Sequence, residues 1–438
     1  MKRLFLLVIL GLVTSVHFLH AQGWRKTYSL EDYVGGWISD VHATPDGGYL
    51  LYGNEAAIWK IDAYGNTQWS KFLPVTGQVN RRGQMHILGD SAIYITGIFD
   101  TPTPLPGVMR LNMRGELQSL QYYPDLEQLP NSITSTVFTP TIDGHFIMHR
   151  EYLTGPNNNY TVLLNKVDLQ GNVIWEQTYF VQGASILDKP YLAEILPLSD
   201  GGFMATGTAR QDDVEVAHLT RFDAKGQELW QVIYGDESEE YNAFAIAQDH
   251  DGNFVFGGGI PDIEPGFIKK VTPEGTEIWH AETADAVTDI DQLPAGGYIL
   301  AGSMGTDNPF PINETGFVSR VEENGNTLWT HIENASVFFP FLYRFAAVTE
   351  SADGTGYVAV GYNDYRPFAI KLDSNGNMYT NILQGTVQRD EDADCAFDTT
   401  AAPLLGCNVT ASNGTMDYYA TTDSNGFYTM TVDTGSYS

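Results

Sequence analysis

A unit of about 50 residues recurs seven times along the chain, and this repeat restricts the possible folds more than any other feature. Each copy begins with a basic residue, has a Gly five positions later and, in five of the seven copies, a Trp nine positions later. The basic residues are Lys60, Arg110, Lys166, Arg221, Lys270, Arg320 and Lys371. A second motif precedes every copy and is typified by "DGGYLLYG", which begins at Asp46. Two motifs in a fixed register indicate seven copies of one structural unit.

Each unit is predicted to contain four short strands. In the first unit these are "WISDVHAT", "YLLYG", "AAIWKID" and "TQWSKFL", with a D-G-G turn after the first and a D-x-x-G turn after the third. Asp and Gly provide the local hydrogen bonds and the positive φ that tight turns need, and the alternating strands suit half-buried sheets. A single sheet of this size cannot bury both its faces, whereas seven sheets packed radially can. The sequence therefore predicts an all-β fold with a seven-bladed β-propeller over residues 22–384.

The repeated Trp residues are predicted to pack between neighbouring blades, because each indole can bury about 150–250 Å². This structural set comprises Trp24, Trp69, Trp175, Trp230, Trp279 and Trp329. Trp24 lies in "GWRKTY", which resembles a fourth strand without the first three, and the seventh copy has Thr380 at the Trp position. We therefore predict that the strand around Trp24 completes the seventh blade, which would remove an exposed sheet edge. The alternative is that "NMYTNIL" supplies that strand.

The repeat units resemble the secreted β-propeller repeat proteins of Bacteroidetes-type bacteria and, more distantly, quinoprotein-like propeller repeats. The motif that carries this resemblance is D-x-x-G-x-x-x-W, as in Asp62–Trp69, over about residues 23–383. The resemblance implies the fold more strongly than any function. The adjacent cysteine pair of quinoprotein alcohol dehydrogenases is missing, so the resemblance implies no cofactor in the propeller.

Residues 385–438 lack the sequence pattern of the repeats. They resemble the prealbumin-like Cna-B or SdrD-B-like modules of bacterial surface proteins. The matching segments are "VQRDEDADCAFD", "PLLGCNV" and "TTDSNGFY". Fewer strands are present than such a module needs, which predicts an incomplete β-sandwich domain.

The acidic loop of this tail is a candidate Ca²⁺ site. Asp390, Asp392, Asp394 and Asp398 occupy positions 1, 3, 5 and 9 of a calcium-loop-like pattern, and the resemblance also implies Ca²⁺ here. Cys395 stands where such a loop usually has Gly, and Ala401 replaces the bidentate Glu, so a solvated acidic linker is the alternative. Cys395 and Cys407 either form a disulfide in an oxidising compartment or remain two thiols.

The first residues predict export. Lys2 and Arg3 precede an apolar run that ends at Ala21-Gln22, which is typical of a signal peptide over residues 1–21, with a membrane anchor as the alternative. No later stretch is long and apolar enough to span a bilayer. The formal charge of −31, without a basic stripe, argues against a nucleic-acid partner. We therefore expect a secreted or outer cell-surface protein, and a type IX sorting domain beyond Ser438 would place it on the surface.

The sequence contains no clear catalytic motif. G-x-S-x-G, H-E-x-x-H and phosphate-loop patterns are absent, and the histidines are scattered. Both tight turns of each unit are predicted to lie on one face of the disc and the variable loops on the other, where binding specificity usually resides. Phe338, Phe339, Phe341 and Tyr343 form a candidate ligand-binding patch, although these rings could instead fill the blade core or the channel.

These features predict a non-catalytic binding or adhesion module for an extracellular protein or glycan. A glycan-active or redox enzyme on the same scaffold and a purely structural surface scaffold are the two alternatives.

Overall fold

The computed structural model describes residues 23–29, 36–53, 57–73, 84–88, 92–99, 105–123, 135–154, 159–181, 191–211, 214–235, 241–260, 263–303, 315–333, 343–363, 366–378, 381–389, 402–412 and 417–432. These residues contain strands and turns, with no helix that could cross a membrane among them. Within the described part of the chain, seven four-stranded antiparallel sheets form the blades of a β-propeller. The predicted all-β, seven-bladed fold is confirmed.

The strands are numbered in chain order, beginning with β1 (Trp24–Thr27). Blade 1 contains β2 (Ile38–Ala43), β3 (Tyr49–Gly53), β4 (Ala57–Ile61) and β5 (Thr67–Phe72). Blade 2 contains β6 (Gln84–Leu88), β7 (Ala92–Phe99), β8 (Leu105–Leu111) and β9 (Leu117–Tyr122). Blade 3 contains β10 (Ser135–Pro140), β11 (Phe146–Thr154), β12 (Asn159–Val167) and β13 (Val173–Tyr179).

The remaining blades repeat this order. Blade 4 contains β14 (Tyr191–Pro197), β15 (Phe203–Gln211), β16 (Val214–Phe222) and β17 (Glu228–Tyr234). Blade 5 contains β18 (Asn242–Gln248), β19 (Phe254–Ile260), β20 (Ile263–Val271) and β21 (Glu277–Thr283). Blade 6 contains β22 (Ala286–Gln292), β23 (Tyr298–Ser303), β24 (Gly316–Val321) and β25 (Thr327–Glu333). Blade 7 contains β26 (Tyr343–Glu350), β27 (Gly356–Asn363), β28 (Arg366–Asp373) and, as its fourth strand, β1.

The amino-terminal strand closes the ring. β1 pairs antiparallel with β28, with Trp24 opposite Lys371 and Thr27 opposite Phe368. This confirms the predicted closure: β1, and not a strand from "NMYTNIL", pairs with β28. Asn381–Leu383 belong to a strand that pairs outside the propeller. The pairing covers an edge of β28 that would otherwise present unpaired backbone groups.

In four of the blades, the repeated basic residue forms an ion pair with the repeated Asp of the same unit. In blade 1 the Lys60 Nζ lies 2.9 Å from Asp46 Oδ1, and Lys60 is only 4% exposed. The same pair recurs as Lys166–Asp143, Arg221–Asp200 and Lys371–Asp353. The Asp of the second turn has a different role, because Asp62 Oδ1 accepts from the backbone N–H groups of Tyr64 and Asn66.

The hydrophobic core of the propeller lies in the seams between blades. Among the described residues, seven clusters of buried apolar side chains each join two neighbouring blades. In the seam between blades 7 and 1, for example, Trp24, Tyr49 and Trp59 pack with Val358 and Ala369. Because each blade is buried on both sides, central strands such as β3 are apolar at nearly every position.

Each repeated Trp packs on the Gly of the D-x-x-G turn in the next blade. The Trp24 Nε1 donates to Ala63 O at 3.0 Å, and a Cβ at Gly65 would lie 2.8 Å from the Trp24 ring. The equivalent pairs are Trp69–Gly115, Trp175–Gly226, Trp230–Gly275, Trp279–Gly325 and Trp329–Gly376. Blade 2 has Ser119 at this position, and there the side chain of Gln121 lies against Gly171 instead.

The chain divides into the propeller, Gly23–Met378, and a second unit that contains Tyr379–Ser438. In the second unit, β29 (Asn381–Thr386) pairs with β32 (Phe427–Val432), and β30 (Asn408–Ser412) pairs with β31 (Asp417–Thr421). β29 extends across residue 384, where the sequence predicts the end of the propeller, and it pairs within the second unit. The Cna-B-like sandwich stays a prediction.

Candidate functional site in the central channel

Residues from the first strands of six blades, all except blade 3, line a central cavity of about 390 Å³. Strand pairing places equivalent residues of each blade at the same level, so that two rings of positions can be defined. The first ring comprises Asp40, Gln84, Val137, Glu194, Ala245, Asp289 and Ala347. The second ring, two residues later in each blade, comprises His42, His86, Thr139, Leu196, Ala247, Asp291 and Thr349. Four carboxyl groups and two imidazoles are therefore concentrated around one cavity.

A recurring β-bulge positions the carboxylates of the first ring. The register of the first strand shifts between Ile38 and Asp40 in blade 1, and in the same way before Glu194 and Asp289. A bulge inserts one extra residue and changes the direction of the side chains that follow it. Each of these three carboxylates directly follows the extra residue.

The first-ring carboxylates hydrogen-bond to the neighbouring blade. Asp40 Oδ2 accepts from the backbone N–H of Met85 at 3.1 Å, Glu194 Oε2 from Ile246 at 2.8 Å, and Asp289 Oδ2 from Val348 at 2.8 Å. We call this repeated contact the carboxylate clasp. It joins blades 1 and 2, blades 4 and 5, and blades 6 and 7, and it satisfies inner-strand N–H groups that face the preceding blade.

The second ring adds further bonds between blades. His42 Nε2 lies 2.8 Å from Met85 O, and His86 Nε2 lies 2.9 Å from Phe138 O. Because a carbonyl can only accept, the imidazole N–H is the donor in both bonds. In blades 6 and 7, Thr349 Oγ1 donates to Asp291 Oδ2 at 3.2 Å. The channel side chains thus help to hold the ring together.

Two of the channel carboxyls retain a proton near neutral pH. Burial, together with the nearby charge of Asp289, raises the pKa of Glu194 to about 8. Burial also raises the pKa of Asp289 to about 7, with smaller contributions from Asp291 and Asp40. Enclosure in the channel disfavours the charged form, and like charges add to the effect.

The histidines of the second ring differ in charge. Burial opposes protonation of His42, but the Asp40 carboxylate, 3.4 Å away, raises the pKa of His42 to about 9. Burial, aided by the charge of His42, lowers the pKa of His86 to about 4. At neutral pH the channel therefore contains a His42–Asp40 ion pair beside a neutral His86.

The channel offers hydrogen-bond donors and acceptors, and within the described residues no group of three His, Cys, Asp or Glu side chains is arranged to hold a metal ion. Sequence reasoning did not select these residues. The signal was available in the first strands, where "SDVH" and "TDID" place ionisable residues two positions apart. Without the register, those residues were indistinguishable from an exposed strand face.

The site residues predicted from the sequence lie elsewhere. Phe338, Phe339 and Phe341 are outside the described residues, and Tyr343 begins β26. Asp390, Asp392, Asp394, Asp398 and Cys395 are also outside them, whereas Cys407 is half-buried in the second unit. The ligand patch, the Ca²⁺ site and the disulfide therefore remain predictions.

No protein-family model and no curated protein sequence matches this chain. Solved structures with a similar fold include a protein of unknown function from Bacteroides caccae, with 11% identity, a TM-score of 0.41, and coverage of 70% of this chain and 96% of the other. The Dos1 propeller has 11% identity, a TM-score of 0.45 and coverage of 76% and 77%. BamB from Moraxella catarrhalis has 12% identity, a TM-score of 0.39 and coverage of 89% and 95%. Such distant likenesses concern the fold alone.

Proposed function

We propose that this protein is an exported, non-catalytic β-propeller that acts as a binding module for an extracellular protein or glycan. The observation that best supports this function is the carboxylate clasp. Asp40, Glu194 and Asp289 line the channel, and each accepts a hydrogen bond from the backbone of the next blade. Groups that hold a scaffold rigid suit a binding module, because a preorganised surface loses less entropy when it binds.

A glycan array combined with glycoside-hydrolase assays on the purified chain tests this proposal. We expect saturable binding to a defined class of glycan, or to a purified extracellular protein, without turnover of any substrate. Binding to no ligand would favour the structural scaffold.

An enzyme on the same scaffold is the second candidate, and the protonated carboxyl of Glu194 favours it. A carboxyl group with a pKa of about 8 has a property expected of a general acid near neutral pH. The distinguishing variant is Glu194→Gln, which retains an acceptor for the Ile246 N–H but has no acidic proton. Turnover that is present in the parent chain and lost in this variant would overturn the non-catalytic proposal.

Export rests on the charged and apolar pattern of residues 1–21. We expect the mature protein to begin near Gln22 when the gene is expressed in a secreting bacterial host. Mass spectrometry of the amino terminus checks this prediction. A membrane-bound product that still carries residues 1–21 would indicate a membrane anchor instead.

For the second unit we propose that Asp390, Asp392, Asp394 and Asp398 bind Ca²⁺ and that Cys395 pairs with Cys407. Hard carboxylate oxygens at this spacing support the first proposal, and an exported location supports the second. Calcium titration by calorimetry, with Asp392→Asn as the variant, and thiol counting under denaturing conditions test the two separately.

A further inference from the structure

A second cavity, of about 520 Å³, adjoins the central channel at blades 2, 3 and 4. The cavity lies at the carboxyl ends of the first strands, beside the D-G-G turns. Thr141 and Ser199 of those turns border it. This is the face opposite the variable loops. Its walls are largely aliphatic, with Leu88, Pro140, Leu196 and Pro197 around it and Ile142, 70% exposed, at its lip. The size and lining are those of a small-molecule site.

Three polar residues, Gln84, His86 and Glu194, line both this cavity and the central channel. Gln84 Oε1 is buried, and no donor among the described residues reaches it. A buried acceptor without a partner destabilises the folded chain, so its presence beside a cavity indicates that a partner is supplied from outside the chain.

The other two polar residues define complementary chemistry. His86 donates its Nε2–H to Phe138 O, so in the neutral ring Nδ1 is an acceptor. Glu194 Oε2 accepts from Ile246 N–H, so Oε1 carries the proton of the neutral acid and can donate. The polar end of the cavity therefore presents two acceptors and one donor, with no net charge on these three groups.

We propose that this cavity is a binding site for a neutral small molecule with an aliphatic body and a hydroxyl or amide end group that donates hydrogen bonds to Gln84 and His86. Aliphatic walls receive the body of the ligand. A cation would lose its hydration without contacting a carboxylate in this cavity, and an anion would lose its hydration without contacting a cationic side chain there. The site is independent of the proposed function, because it lies on the face opposite the loops expected to bind a protein or glycan.

Ligand-observed NMR titration of the full chain tests the proposal with four six-carbon probes: 1,2-hexanediol, hexanamide, hexanoate and hexylammonium. We expect saturable binding of the two neutral probes, at least about tenfold tighter than either ion. Gln84→Leu, which keeps the volume but removes the acceptor, should weaken binding of the neutral probes about tenfold, as the loss of one buried hydrogen bond predicts. Ile142→Asp changes only an exposed lip residue and should also weaken binding.

Two controls separate the site from general effects. Gln68→Leu makes the same substitution on the exposed face of β5 and should leave binding unchanged. In the parent chain, binding should weaken as pH rises through about 8, where Glu194 loses its proton. Asp289 and His42 in the same channel have pKa values of about 7 and 9, so Glu194→Gln should remove only the part of the dependence centred near pH 8. Ions that bind as tightly as the neutral probes, neutral probes that bind Gln84→Leu and Ile142→Asp unchanged, or no saturable binding of any probe would each overturn the proposal.

Discussion

At the scale of single residues, the repeated Gly of the D-x-x-G turn has two functions. Gly65 has a φ of 77°, which a residue with a Cβ adopts only with strain, and it also forms the floor on which the Trp24 indole rests. Gly47, in the D-G-G turn of the same blade, has a φ of 83° but no atom within 4 Å of a Cβ at that position. Comparing substitutions at the two glycines therefore distinguishes the cost of backbone strain from the cost of a clash with the indole.

We expect Gly47→Ala to lower the free energy of unfolding by about 1–2 kcal/mol, the strain of a left-handed backbone at a residue with a Cβ. Gly65→Ala should lower it by about 1–3 kcal/mol more, because the added methyl group meets the indole. Urea denaturation of the two variants and the parent chain measures the difference. Equal effects would show that the Trp–Gly contact contributes nothing to stability.

At the scale of elements, blade 7 is assembled from the two ends of the propeller sequence. Its fourth strand, β1, pairs with β28 along Trp24–Thr27, and Trp24 and Tyr28 also pack into the seam with blade 1. The N-terminal strand thus supplies both the edge pairing of one blade and part of the core of one seam. The seam between blades 2 and 3 differs from the others. Blade 2 has Ser119 at the Trp position, so this seam lacks the indole that packs at the other seams.

A chain that begins after Tyr28 should be less stable than the parent and should aggregate, because its β28 edge is exposed. A synthetic peptide covering Gly23–Tyr28 should reduce the aggregation measured by light scattering. The matched control is the same peptide with Trp24→Ser, which retains the backbone but removes the indole. A truncated chain that stays monomeric with unchanged stability would contradict this role of β1.

At the scale of the whole molecule, the enclosed channel makes stability depend on pH. Glu194 and Asp289 are protonated in the folded chain up to about pH 8 and 7, whereas in the unfolded chain both are ionised above about pH 4.5. Raising the pH therefore favours the unfolded state until the folded pKa is passed. The raised pKa of His42, about 9, acts in the same direction, because its stabilisation is present below pH 6.5 and is lost through pH 9. His86 acts oppositely, but only between about pH 4 and 6.5.

We therefore expect the free energy of unfolding to fall between pH 6.5 and 9 by at least about 1 kcal/mol, since one pKa unit corresponds to about 1.4 kcal/mol and water in the channel weakens the effect. The double variant Glu194→Gln, Asp289→Asn retains amide acceptors for the clasps and should reduce this fall. Glu282→Gln, on the exposed face of β21, is the control. Thermal unfolding at a series of pH values measures the slope, and a stability that rises over this range would refute the assignment.

The sequence by itself determined the seven units, their four strands and the strand that closes the ring. Those properties follow from local turn chemistry and strand alternation, both of which are repeated in register from Asp46 to Gly376. The tertiary structure decided which residues meet. Asp40, Glu194 and Asp289 are far apart in sequence, and the bulge before each one sets the direction of its side chain, so neither their common channel nor their altered pKa values could be read from local patterns. Burial and proximity exist only after the ring has closed, and they are the physical origin of the candidate site.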